Sequence, residues 1–129
     1  MALNDRGLLI RGASGSGKST LALDLIALGA TLVSDDRVMV SLRDGAPWMT
    51  APQSLSGLIE ARGIGILRAP ACSGAAIAAV VDMDATETDR LPPFRKTALL
   101  GVDLPLLHNT ARASFAVGVM HYLRYGRKA

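Results

Sequence analysis

A single cysteine, Cys72, stands in the chain, so no internal disulfide can staple the fold and no cysteine spacing suggests a metal site. Flanked by Pro70, Ala71 and Ser73, it reads as a small structural residue. Aromatic residues make up only 4% of the sequence, which leaves the core to Leu, Val, Ile and Ala. No apolar run approaches the ~18 residues of a membrane span. No basic segment followed by a long apolar one marks a secretory signal near Met1. A dense basic stripe is missing too. The net charge of +3 suits polyphosphate or an acidic patch and gives no footprint for nucleic acid. The expected setting is therefore the cytoplasm, with neither membrane nor nucleic acid as partner. Without an internal repeat or linker, the 129 residues read as one domain, 1–129, large enough for a real core. Half of them are hydrophobic and 19% charged, which argues against disorder.

What is present is a phosphate-binding pattern. Gly12-Ala13-Ser14-Gly15-Ser16-Gly17-Lys18-Ser19 fits G-x-x-x-x-G-K-[ST]. It follows the apolar run Leu8-Leu9-Ile10 and opens a helix-like segment from Lys18 to Leu28, which is the strand–loop–helix context the motif needs. Glycines allow backbone N–H groups to turn inward around phosphate oxygens. The helix N-terminus, with Thr20 in its first turn, adds partial positive charge. Lys18 would reach the β- and γ-phosphates of ATP, and the Ser19 hydroxyl would ligate Mg²⁺.

Along the chain, Leu8 to Arg11 reads as a buried strand, and Leu21, Leu25 and Leu28 give the helix one apolar face, with Gly29 at its C-terminal end. Ala30 to Ser34 predicts a second short strand ending at Asp35-Asp36. Val38 to Leu42 and Trp48 to Thr50 flank Asp44-Gly45, a hairpin signal with a somewhat longer turn, in which Trp48 is a packing residue. Gln53 to Gly57 is loop-like. Leu58 to Leu67 contains Gly63 and Gly65 and is a poor helix. Ala75 to Met83 predicts a buried strand, Asp84 to Pro93 a loop, Leu104 to Leu107 a short strand. Ala116, Val119, Met120 and Leu123 space as a terminal helix ending in a basic, solvated tail at Arg124, Arg127 and Lys128. Hairpins beside one strand–P-loop–helix unit suggest an α/β fold with a mixed sheet.

A P-loop alone indicates nucleotide phosphate and not what is done with it. Asp35 and Asp36 follow the strand after the P-loop helix, and strand ends on that side of an α/β sheet surround the ligand. One carboxylate could accept a hydroxyl proton, and the other could orient metal-bound water or a partner side chain. Glu60, amid glycines and aliphatics, could complete a Mg²⁺ shell. His108 reads as a loop histidine and His121 as structural in the terminal helix. Asp82, Asp84, Glu87 and Asp89 lack calcium-loop spacing and read as a solvated segment.

Two stretches carry a resemblance. Gly7 to Ile26 followed by Val33-Ser34-Asp35-Asp36-Arg37-Val38 resembles the nucleotide site and carboxylate pair of the HPr kinase/phosphorylase family. Leu58-Ile59-Glu60-Ala61-Arg62-Gly63-Ile64-Gly65-Ile66-Leu67 is similar to that family's second signature, and Thr88-Asp89-Arg90-Leu91 resembles a short element further on. The resemblance implies an ATP-dependent kinase acting on a serine of HPr, the small phosphocarrier of the sugar phosphotransferase system. Many members also run the reverse phosphorolysis. It implies a mixed-sheet P-loop fold like that of phosphoenolpyruvate carboxykinase, and a homo-oligomer, hexameric in full-length members. Carried over, Lys18 holds phosphates, Ser19 and Glu60 bind Mg²⁺, Asp35 takes the serine proton beside Asp36, and Arg90 steadies transition-state charge.

The sequence departs from that family in three places. Nothing precedes the P-loop strand where the typical full-length chain has another domain, as in short α-proteobacterial forms. The family's histidine on a strand upstream of the P-loop has no counterpart. Its Pro-x-Arg-Pro-Gly-Arg segment, tied to the dephosphorylating reaction, aligns with Leu107 to Arg112, where Arg112 alone matches. Kinase activity is therefore expected to outweigh phosphorolysis. Two other readings stand beside this one: a small-metabolite P-loop kinase, and an ATP-binding regulatory module without transfer chemistry.

Overall fold

The structure, a computed structural model, describes residues 1–52 and 56–129. Its centre is β7, Gly74–Thr86, where seven alanines, valines and isoleucines crowd into ten positions. Such a run is buried on both faces, as parallel strands are. On one side β7 pairs in parallel with β2, Arg6–Arg11, from Arg6 opposite Ala76 to Arg11 opposite Asp82. On its other side it is shared. β4, Ala46–Thr50, lies antiparallel to its first residues, and β9, Val102–Asn109, lies parallel to its later ones. β1, Ala2–Leu3, extends the sheet beyond β2; β3, Met39–Arg43, lies beyond β4; β8, Arg95–Leu99, is antiparallel to β9. The sheet is mixed, as the alternation of hairpins and one crossover predicts.

Two helices cover one face. α1, Lys18–Ala27, buries Leu21, Ala22 and Leu25. α2, Phe115–Tyr125, buries Ala116, Val119, Met120 and Leu123, the four positions its spacing marks. They enclose a core with Leu8, Leu32, Ile59, Ala79 and Val81, while a second cluster around Val33, Met49, Ile77 and Val80 lies on the opposite face. A separate hairpin, β5 Leu58–Ala61 with β6 Gly65–Arg68, packs beside α1 and turns through Arg62-Gly63-Ile64. Ile59 and Ala61 point into the core, and Glu60 points out. Among the described residues no helix is long and apolar enough to cross a membrane.

Several expectations need correction. Ala30 to Ser34 buries Ala30, Leu32 and Val33 but is not a strand; it crosses the edge with isolated bridges from Thr31 to Ala2 and Leu32 to Ala71. The β3–β4 turn is the two residues Asp44 and Gly45, both with positive φ, which matches the strand twist better than a longer loop. Asp84 to Thr86 continue β7 and are not loop. β9 is longer than Leu104 to Leu107 and takes in His108, opposite Asp82. Of the expected loop Gln53 to Gly57, residues 53–55 lie outside the described residues. Trp48 does pack in its hairpin, under the Arg43 guanidinium at 4.6 Å. The basic tail is not free: Arg127 donates to the Pro92 carbonyl and lies 4.1 Å over the Phe94 ring.

Leu25 is wholly buried where α1 meets the sheet, whereas Ile64 at the hairpin tip is 77% exposed. Leu25→Ala is expected to cost about 2–5 kcal/mol and Ile64→Ala no more than about 0.5 kcal/mol. Urea unfolding midpoints at unchanged slope check both.

Candidate active site

The residues of the phosphate pattern leave the sheet at the end of β2 and enter α1 at Gly17. That glycine holds φ at +99°, a left-handed turn that a side chain would strain. Among the described residues no side chain caps α1, and its first-turn N–H groups border the cleft without an intramolecular partner. Gly12, at φ +151°, lets the loop close tightly: a Cβ there would stand 2.7 Å from Ser16 Oγ. The buried Ser16 hydroxyl has no hydrogen-bond partner among the described residues. Lys18 folds back and donates to the Gly12 carbonyl. An orphaned hydroxyl, uncapped amides and one ammonium fit an anion such as a nucleotide phosphate.

Asp35 ties three parts of the site together. Its carboxylate accepts from Ser19 Oγ at 2.9 Å through one oxygen and from the Glu60 N–H at 2.9 Å through the other. The P-loop helix, the carboxylate pair and the β5–β6 hairpin thus meet at one half-buried side chain. Because the Ser19 hydroxyl gives its hydrogen to Asp35, its lone pairs are left for a cation. Glu60 is exposed on the same hairpin. The described residues hold no group of three or more Asp, Glu, His or Cys that could cage a metal. Mg²⁺ commonly takes one or two side chains with phosphates and waters completing the shell, so a Ser19 and Glu60 pair suits it.

The cleft has a volume of about 630 Å³ and is walled by Ser14, Gly15 and Gly17 to Thr20 on one side and by Asp35, Asp36, Glu60 and the hairpin's Ile64 and Ile66 on the other. A smaller cavity of about 260 Å³ shares Lys18, Asp35 and Asp36 with it and is otherwise mainly apolar, with Leu9, Val33, Val38 and Met49 in its wall. Four predicted site residues, Ala13, Ser16, Arg90 and Arg112, are not in either wall. Arg90 and Arg112 are exposed on the segments that follow β7 and β9. Both segments leave the same end of the parallel strands as the P-loop. Ala13 also departs from expectation, since its N–H is directed to the Asp84 carboxylate at 3.0 Å.

The acidic segment is likewise engaged and not simply solvated. Asp82 lies 3.6 Å from Arg11, and Glu87 forms a two-point bond with Arg95 at 3.0 Å. The Glu87–Arg95 pair closes the base of the segment carrying Arg90, helped by the Glu87 N–H donating to the Asn109 carbonyl at 2.8 Å. Sequence distance hid these contacts.

Residues 1–86 match the family model described as HPr Serine kinase C-terminal domain. The HPr kinase/phosphorylase of Clostridium novyi is 48% identical over 68 residues, 53% of this chain and 22% of that protein. That of Limosilactobacillus reuteri is 53% identical over 62 residues, 47% of this chain and 19% of that protein. The chain therefore spans about a fifth of the length of these relatives. Among solved structures, the HPr(Ser) kinase/phosphatase from Coxiella burnetii superposes with a TM-score of 0.76 at 23% identity, covering 92% of this chain and 81% of that one. That likeness is one of fold. Arg90 and Arg112 lie beyond the stretch matched by the family model.

The Arg95 hydrogen bond, aided by the Asp89 N–H and opposed by burial, holds the Glu87 carboxyl down at about 2 from an ordinary 4.5. The unfolded chain therefore takes up this proton first. The stabilisation is fully present above about pH 4.5 and is lost as pH falls toward about 2. Glu87→Gln is expected to flatten the fall in urea midpoint across that window, and an unchanged pH profile would contradict the pairing.

Proposed function

The chain belongs to the HPr Serine kinase C-terminal domain family, and on that premise we propose that it is an ATP-dependent kinase that phosphorylates a serine of the phosphocarrier HPr. The observation that carries this reading is the Asp35 carboxylate, which joins the P-loop Ser19 to the Glu60 hairpin within one cleft. Residues 1–129 act here as a single P-loop catalytic unit, in the cytoplasm, where ATP and HPr are found together.

The roles follow from chemistry. Ser14, Gly15 and Gly17 to Thr20 offer backbone amides, and Lys18 an ammonium, to the nucleotide phosphates; Lys18 must leave the Gly12 carbonyl to do so. Ser19 Oγ and the Glu60 carboxylate would hold Mg²⁺, which when bound neutralises charge developing on the transferred group. Asp35 accepts the proton of the incoming serine hydroxyl as that oxygen attacks. Each Asp35 oxygen accepts one hydrogen bond at present and keeps a second lone pair for that proton. Asp36, exposed beside it, orients water or the acceptor. Arg90 and Arg112 are outside the cleft walls, and a role in steadying charge requires their segments to fold inward or the acceptor to bring them in. The loss of all but Arg112 from the segment tied to dephosphorylation favours transfer from ATP to serine over attack of inorganic phosphate on the phosphoserine.

Labelled γ-phosphate transfer from Mg-ATP to HPr of the same organism tests this reading. Lys18→Ala and Asp35→Ala are each expected to lower the rate by about 100-fold or more, and chelation of Mg²⁺ is expected to abolish it. Transfer undiminished in Asp35→Ala would remove that residue from the chemistry. ATP binding with no transfer would assign the chain to a regulatory module instead.

A further inference from the structure

β2 and β7 run in parallel until Arg11 faces Asp82, and there the backbone ladder ends because the P-loop bends away. The next loop amide, that of Ala13, would be left without a sheet partner. Asp84 meets it: both carboxylate oxygens lie 3.0 Å from Ala13 N. The Asp84 side chain is itself at the strand end beside Asp82, to whose carboxylate the Asp84 N–H donates at 2.9 Å. Asp82 in turn lies 3.6 Å from the Arg11 guanidinium. Three consecutive residues of β7, Asp82-Met83-Asp84, thus follow Arg11-Gly12-Ala13 side by side. At the middle step the two chains are tight, since a Cβ on Gly12 would stand 3.1 Å from Met83 Cβ.

The consequences run into the loop. The Ala13 carbonyl accepts from Ser16 N at 3.1 Å, and the Gly12 carbonyl accepts from Lys18 Nζ. The two residues anchored to β7 are therefore those whose carbonyls organise the far side of the loop. A carboxylate beside a phosphate site is electrostatically adverse, so its presence calls for a compensating task.

We propose that Asp84 is a positioning residue for nucleotide binding: its carboxylate holds the Ala13 amide, fixes where the P-loop begins, and so presets the remaining amides for phosphate. This rests on the reading of the P-loop as a nucleotide site. Asp84 touches neither substrate nor metal and acts through Ala13. Its hydrogen bond, and not its charge, carries the effect.

The test is MgADP binding by calorimetry, with the Ala13 amide signal followed by NMR, in wild type, Asp84→Ala and Asp84→Asn. Asp84→Ala is expected to weaken MgADP by roughly tenfold, the upper scale of one ordinary hydrogen bond, and to speed exchange of the Ala13 amide. Asp84→Asn keeps an acceptor oxygen and is expected to restore affinity to within about threefold, with the amide again protected. In kinase assays the loss in Asp84→Ala falls on KM for ATP more than on kcat. Wild-type affinity in Asp84→Ala overturns the proposal. Equal loss in Asp84→Asn and Asp84→Ala also overturns it, since that pattern belongs to a charge or metal role. If wild type itself fails to bind MgADP, the kinase reading fails and the positioning role with it. Normal wild-type binding with an indifferent Asp84 fails this inference alone.

Discussion

The parallel pairing of β2 with β7 is the constraint on which the molecule depends. It joins residues some seventy positions apart, buries Leu8, Ala79 and Val81 under the helices, and stops at Arg11 and Asp82. Where it stops, the chain turns into the phosphate loop. Parallel strands are covered on both faces, and the end at which their carboxyl termini emerge is left for a ligand. The P-loop, the Asp35 segment and the segments bearing Arg90 and Arg112 are all arranged around that end. Without the pairing, the glycines of the loop would have freedom but no fixed origin.

On this base the site is assembled by polar bonds between distant segments more than by one element. Asp35 gathers a helix terminus and a hairpin, Glu87 with Arg95 closes a loop at its foot, and Arg127 fastens the C-terminal segment to Pro92 and Phe94. Each is worth little in water. Each gains by being intramolecular on a framework already ordered by hydrophobic burial.

Much of this was legible in the residues. The phosphate pattern carries its own context, and α2 declares its buried face through Ala116, Val119, Met120 and Leu123 because helical spacing is local. The mixed sheet followed from hairpin signals such as Asp44-Gly45. Other features were not readable for physical reasons. β8, Arg95–Leu99, is a short edge strand with alternating exposure, and two basic residues mask its period. β1 is too short to have a period at all. Ala30 to Ser34 has strand composition, yet it crosses an edge and finds only isolated bridges. The bond from Ala13 to Asp84 spans 71 positions, and no local rule connects an acidic residue after a strand to a glycine-rich loop far upstream. Arg90 and Arg112 were legible as resemblance, but their walls are not those of the cleft.

The strand order also has a temporal side. The phosphate loop precedes β7 in the chain, so a growing chain exposes it before its floor exists. Its floor is β7, and the carboxylate that secures its root is residue 84. Long-range parallel pairing closes a large loop before any contact rewards it, which makes it a late event in folding. The loop is thus a glycine-rich turn without a fixed origin until β7 has emerged and paired with β2.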